Sequence, residues 1–177
     1  MSTQAITFDD VLLIPSYNHH ESRRVVDISV TDRLEKLTLK LPVISSNMDT
    51  ITESKMANFM HSKGGIGALH RFLTVEDNIK EFKACKGPVF VSVGCTTAEL
   101  ERAEALRDAG ADYFCVDVAH AHAKYVGKTL KSLRQLLGTR CIMAGNVATY
   151  AGADYLASCV LTLLKQGLAA AQSVVRV

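Results

Sequence analysis

The sequence lacks the features that mark a membrane, secreted or nucleic-acid-binding protein. It has no apolar run long enough to span a bilayer, and its first residues, MSTQAITFDD, do not form a signal peptide. The formal net charge at pH 7 is only +2, from 20 basic and 18 acidic residues. Such a nearly even balance of charge predicts no nucleic-acid partner and no membrane surface. With 48% hydrophobic residues, we expect a globular, cytoplasmic protein.

The cysteines lack the spacing of a disulfide framework or a zinc site. The five stand at positions 85, 95, 115, 141 and 159, and no two of them form a CxxC pair. Cys115 and Cys141 fall within short apolar segments, so we expect buried, reduced thiols. His120 and His122 could share one face of an extended segment, but no further His or Cys cluster accompanies them. We therefore predict no metal site.

What the sequence does contain is a repeat of short apolar segments. The clearest is YFCVDVAHAH, residues 113–122, which lies between two segments with the apolar spacing of an amphipathic helix. Similar segments begin at Pro42, Ile66, Val89, Tyr113 and Cys141, which gives gaps of 24, 23, 24 and 28 residues. Strands that alternate with helices at an even period predict βαβ units and a parallel sheet.

Two folds fit this pattern, a (β/α)8 barrel and a doubly wound sheet. Even spacing and short polar loops at every strand end favour the barrel, and no GxGxxG turn follows the first strand. A complete barrel needs about 250 residues. We therefore expect residues 1–159 to form the N-terminal part of one barrel domain, truncated after about five βα units. After Cys159 no acidic residue or turn signal appears, and periodicity alone predicts a continued helix.

Five motifs together resemble the IMP dehydrogenase/GMP reductase family over residues 6–159. They are FDDVLLIP near the start, SSNMDT at 45–50, GGIGALHRF at 64–72, VDVAHAH at 116–122 and MAGNVAT at 143–149. The resemblance implies a (β/α)8 barrel. Within the family, two features favour GMP reductase. KACKGPVFVSVG passes from helix to strand without a regulatory insertion, and Asn47 precedes Met48. An IMP dehydrogenase without the insertion is the alternative.

The resemblance implies NADPH-dependent reductive deamination of GMP to IMP and ammonia, in a cytoplasmic homotetramer. The implied cofactor-binding positions are Ser22, Arg23, Arg71, Asp117, Val118, Ala119, Gly145 and Asn146, and the implied substrate-binding positions are Ser46 and Met48. Arginine suits this role because its guanidinium matches phosphate oxygens. From the residues alone, Arg23 also fits a solvated charge cluster, and Val118 and Met48 also fit ordinary barrel packing.

The family pattern is not continued after residue 159. The resemblance implies a catalytic loop there, with a nucleophilic cysteine and a potassium site, but this chain contains VLTLLKQGLAAAQS instead. For one choice of codons, deleting a single base from the family segment GADIIKAGIGGGS yields residues 160–172. We therefore expect 160–177 to be a frameshifted, non-family tail and the chain to lack turnover. A non-catalytic half-barrel that binds nucleotide or full-length subunits is a third alternative.

Overall fold

The computed structural model describes residues 10–32, 37–159, 162–168 and 171–176. A 3₁₀ turn spans Arg23–Val25. The strands are β1 Val30–Thr31, β2 Thr38–Leu39, β3 Ile44–Ser45, β4 Ile66–Leu69, β5 Val89–Val93, β6 Tyr113–Asp117, β7 Cys141–Val147, β8 Leu163–Leu168 and β9 Ala171–Arg176. The helices are α1 Ser54–Ser62, α2 Val75–Lys83, α3 Thr97–Asp108, α4 Lys124–Leu137 and α5 Tyr150–Ser158.

Strands β3 to β8 lie side by side in chain order, and each pairs in parallel with the next. A helix follows each of β3 to β7, so the sheet consists of successive βα units. β9 pairs antiparallel with β8, while β1 and β2 form a separate hairpin. This curled parallel sheet confirms the prediction of a truncated (β/α)8 barrel. Four of the five predicted strands begin at the predicted residue, and the first begins at Ile44.

The strands form where predicted because alternate side chains are buried on opposite faces of the sheet. Phe114 and Val116 face the helices, with Leu130 and Leu133 of α4 in the same cluster. Phe90, Cys115 and Met143 occupy the concave face, which Leu37 and Leu39 beside the β1–β2 hairpin help to cover. All five residues of β5 are buried, as expected for a parallel strand covered on both faces.

Two helices begin at threonine caps whose hydroxyl satisfies an otherwise unpaired backbone N–H. The Thr74 hydroxyl accepts from Asp77 N at 3.1 Å at the start of α2. Thr149 caps α5 in the same way, accepting from Gly152 N at 3.1 Å. Among the described residues, no helix combines the length and apolar character that crossing a membrane requires.

The prediction of a continued helix after Cys159 is wrong over residues 163–168 and 171–176, which are strands. β8 extends the sheet in parallel with β7, with Leu163 opposite Met143. Leu163 and Leu164 enter the concave and helix-facing clusters respectively. Periodicity alone does not distinguish a strand from a helix in a short apolar run. Here a strand is favoured because the edge of β7 offers unpaired backbone N–H and C=O groups as hydrogen-bond partners. Residues 160, 161, 169, 170 and 177 of the tail lie outside the described residues, and the domain boundary at 159/160 stays a prediction.

Candidate functional site

Polar side chains gather where the parallel strands end. Asn47 follows β3, His70 follows β4, Asp117 ends β6, Asn146 lies near the end of β7, and Lys165 lies in β8. All except Asp117 are buried or nearly so. Ligands of α/β folds bind at this edge of the sheet, so the cluster is the candidate site.

The centre of the cluster is the ammonium group of Lys165. Its Nζ donates to Asp117 Oδ1 at 2.6 Å and to Asn47 Oδ1 at 3.1 Å. The Lys165 side chain is 7% exposed and that of Asp117 is 30% exposed. Because β3 and β8 are separated by four strands in the sheet, the Asn47 contact must cross the concave face. Asp117 is a predicted site residue, whereas Lys165 is not; its only signal in the sequence is a lone cation within the apolar run LTLLKQGL.

The predicted positions on β6 and β7 meet through backbone hydrogen bonds. Val118 N donates to Gly145 O at 2.9 Å, and Asn146 N donates to Val118 O at 2.8 Å. A Cβ at Gly145 would overlap the backbone of Lys165, so only glycine allows β8 this close. Ala119 is exposed beside this connection. The structure thus brings Asp117, Val118, Ala119, Gly145 and Asn146 together, and their cofactor-binding role stays a prediction.

Asn146 carries an unused acceptor. The residue is 4% exposed, and within the described part of the chain its Oδ1 has no hydrogen-bond partner. An unsatisfied buried amide oxygen is costly, by about 1–3 kcal/mol. A ligand N–H or O–H that reached this oxygen would remove that cost, so the position suits a ligand with amide or hydroxyl donors.

Arg71 lies at the end of β4 with its guanidinium partly open to solvent. The side chain is 33% exposed, its NH1 is 3.9 Å from Glu99 Oε1, and its Cζ lies 5.1 Å from the Phe72 ring centroid. These contacts leave most of its N–H donors available. The position therefore suits an anionic group such as a phosphate.

Ser46 and Met48 lie on the loop between β3 and α1. The Thr52 hydroxyl donates to Ser46 O at 2.6 Å, and Met48 O accepts from Thr52 N at 3.0 Å. The Met48 side chain is half exposed. A cavity of about 420 Å³ adjoins this loop but is lined by residues 49–59, including Met56 and Phe59, and not by the Asp117–Lys165 pair. Since the polar chemistry lies elsewhere, we place the site at the strand ends.

Ser22 and Arg23 are the predicted positions that the structure does not bring to the cluster. Both are exposed, and the Ser22 hydroxyl accepts from Arg24 N at 3.2 Å to cap the 3₁₀ turn. Among the described residues, neither makes a hydrogen bond or ion pair with the strand-end side chains. A cofactor role for these two residues stays a prediction.

Cys85, Cys95 and Cys115 are not activated as nucleophiles. Burial raises the pKa of Cys115 from its ordinary 9.0 to about 12 and that of Cys85 to about 11, and it also raises the pKa of Cys95. Cys159 is the buried C-terminal cap of α5, and none of the five cysteines forms a disulfide. A thiol with a raised pKa holds little thiolate at neutral pH and attacks slowly. The described residues contain no group of three or more His, Cys, Asp or Glu side chains placed to hold a metal ion.

Comparison with known proteins gives concordant matches. The sequence model of the IMP dehydrogenase / GMP reductase domain matches residues 5–173. Among solved structures, inosine 5' monophosphate dehydrogenase from Legionella pneumophila is 83% identical with a TM-score of 0.87, over 93% of this chain and 51% of that chain. Inosine-5'-monophosphate dehydrogenase of Nitrosopumilus maritimus is 46% identical over 78 residues, 44% of this chain and 16% of the relative.

A GMP reductase also matches. The Lactobacillus acidophilus protein is 33% identical over 153 residues, which is 84% of this chain and 46% of the relative. The chain therefore spans about half the length of the proteins that it matches along most of its own length.

We predict that Lys165→Met destabilises the fold. Removal of the ammonium group leaves the Asp117 carboxylate and the Asn47 amide without their cation. The free energy of unfolding should therefore fall by roughly 1–3 kcal/mol. This is less than for a fully buried pair, because the Asp117 side chain is 30% exposed. Urea unfolding measures this change. The matched control is Lys80→Met, because Lys80 pairs with Asp77 at 2.7 Å but is 76% exposed. Equal effects of the two substitutions would contradict the prediction.

We also predict slow alkylation of Cys115 in the native chain. At about pH 8, iodoacetamide should modify it far more slowly than in urea, because only the thiolate reacts. Mass spectrometry of peptides assigns the modified sites. As pH rises, the Cys115 thiol loses its proton at a lower pH in the unfolded chain than in the native chain. The free energy of unfolding should therefore also fall as pH rises above 9.0. Equally fast labelling of Cys115 in native and denatured protein would contradict its burial.

Proposed function

The chain belongs to the IMP dehydrogenase / GMP reductase family, and from this premise we propose that it is part of an enzyme that oxidises IMP with NAD. Members of the family are oxidoreductases that act on purine nucleotides with NAD or NADP. One observation favours IMP oxidation over GMP reduction within the family. The Legionella inosine 5' monophosphate dehydrogenase is 83% identical over 93% of this chain, whereas the GMP reductase of Lactobacillus acidophilus is 33% identical.

GMP reduction with NADPH is the second candidate, because two sequence features favour it. The first is the direct connection from α2, which ends at Lys83, to β5, which begins at Val89. The second is Asn47 before Met48. However, in this structure Asn47 accepts from Lys165 across the concave face, so it has a structural partner besides any nucleotide. This weakens the second candidate.

The residues at the strand ends fit a nicotinamide dinucleotide. Asn146 offers a buried acceptor, and Arg71 offers unpaired guanidinium donors for a phosphate. Asp117 keeps a second carboxylate oxygen next to the backbone of Val118 and Ala119. When bound, the nicotinamide would supply the hydride acceptor. The protein residues would orient it, with Ser46 and Met48 on the substrate side.

We propose that turnover needs more of the fold than these 177 residues contain. The catalytic cysteine loop that the family resemblance implies has no counterpart in the sequence, and burial disfavours the thiolate of Cys85, Cys95 and Cys115. We therefore expect the chain to bind nucleotide without hydride transfer. Assembly as a homotetramer and a cytoplasmic location are further parts of this proposal.

The nucleotide preference of the purified chain tests the proposal. Titration calorimetry should show NAD binding at least about tenfold more tightly than NADPH, a difference of about 1.4 kcal/mol. IMP should likewise bind more tightly than GMP. A preference for NADPH and GMP would favour the reductase, and no binding of any of the four would refute a nucleotide site in this chain.

Asn146→Ala tests the buried acceptor directly. We expect NAD to bind roughly three- to tenfold more weakly, because a donor group of NAD would lose its hydrogen bond to the neutral Asn146 amide in a buried site. Asn58→Ala is the control, since Asn58 bonds Ala84 O and Lys86 N away from the strand ends. If both variants bound NAD like the original chain, Asn146 would have no contact with the cofactor.

A further inference from the structure

A buried polar network lies directly behind Arg71. Its centre is Glu99 in the first turn of α3, whose side chain is 12% exposed. Glu99 Oε2 accepts from Gly94 N at 2.6 Å, and Oε1 lies 3.3 Å from Arg102 Nε. The same oxygen lies 3.9 Å from Arg71 NH1. The carboxylate therefore bonds closely to Gly94 and Arg102 and contacts Arg71 only at long range.

Arg102 extends the network to the loop that follows β4. Its NH2 donates to Leu73 O at 3.0 Å, and its NH1 donates to Asn78 Oδ1 at 3.1 Å. Asn78 is fully buried and donates to His70 O at 3.1 Å. Hydrogen bonds thus hold the backbone on both sides of Arg71, at His70 and at Leu73.

The Arg71 side chain is also confined by its packing. A Cβ built at Gly94 would lie 3.4 Å from Arg71 Cζ and 3.2 Å from Glu99 Cγ, so both side chains lie over the bare backbone at the end of β5. The Phe72 ring lies 5.1 Å from the same Cζ. The guanidinium therefore has a fixed direction, yet it keeps donors free because the Glu99 contact is long.

We infer that Glu99 is a positioning residue, which holds Arg71 in the direction needed to bind a phosphate of the dinucleotide. This inference rests on the proposed function, which places a cofactor phosphate at Arg71. Fixed direction matters because a guanidinium that is already oriented loses less freedom when it binds an anion. Glu99 acts only through Arg71, since its own oxygens are occupied by Gly94 and Arg102.

A simple electrostatic view predicts the opposite sign. If Glu99 merely neutralised Arg71, then Glu99→Gln would free a positive charge and tighten the binding of an anion. If Glu99 positions Arg71, the same substitution lets the guanidinium turn away and weakens binding. The direction of the change therefore distinguishes the two roles.

The test measures NAD binding to the full 177-residue chain by titration calorimetry. Glu99→Gln should weaken binding about three- to tenfold, the range of one lost charge-assisted contact. Arg71→Ala should weaken it at least as much, and Glu99→Gln should then add nothing in the Arg71→Ala background. Glu104→Gln is the control, because Glu104 is 54% exposed on the same helix and pairs with Arg107.

Gly94→Ala gives a second variant with every charge intact. Its new methyl group would lie only 3.2 Å from Glu99 Cγ, so the Glu99 side chain must shift beside Arg71. This variant should also weaken NAD binding if direction is what matters. Tighter binding by Glu99→Gln would overturn the inference, as would weakening that persists without Arg71. If the original chain bound no NAD, the proposed function would fail and the inference with it. If it bound NAD and both variants matched it, only the inference would fail.

Discussion

The site depends on the curl of the parallel sheet, because only a curled sheet brings Lys165 into contact with Asn47. These residues are 118 positions apart in the chain and belong to opposite sides of the curl. A buried ammonium needs acceptors, and Asp117 at the end of β6 and Asn47 just after β3 supply them. The curl thus places three polar groups in one small volume, which a flat sheet with the same strand order would hold apart.

The same curl separates the chemistry of the concave face into layers. Below the polar group lie Phe90, Cys115 and Met143, which exclude water and raise the pKa of the Cys115 thiol. Above it the strand ends open towards the loops that carry Arg71 and Met48. A low-dielectric floor beneath a few polar groups favours tight, directional binding of a polar ligand. The apolar sequence of the strands therefore shapes the site as much as its polar residues do.

Much of this arrangement could be predicted from the sequence, because local patterns determine it. β4 to β7 begin at the predicted residues since each is an apolar run between amphipathic helices, and motif residues such as Asp117 and Gly145 fall at the strand ends. Lys165 could not be predicted, because its partners come from distant strands. The strand that contains it was missed because its pairing depends on the open edge of β7. Nor does any local signal reveal that Glu99 lies over Gly94 beside Arg71.

The physical role of Asn47 explains why motifs identify the family more securely than the substrate. IMP and GMP share the ribose phosphate and most of the purine, so most residues that bind one also suit the other. A residue that also supports the fold is a poor indicator of the difference, and Asn47 is such a residue because it accepts from Lys165. Under the proposed function, Arg71 would likewise bind a phosphate common to both dinucleotides. Discrimination must come from groups that touch the purine C2 substituent, where an amino group in GMP replaces a hydrogen in IMP. Buried donors and acceptors give the strongest discrimination, because the wrong substituent leaves one of them unpaired.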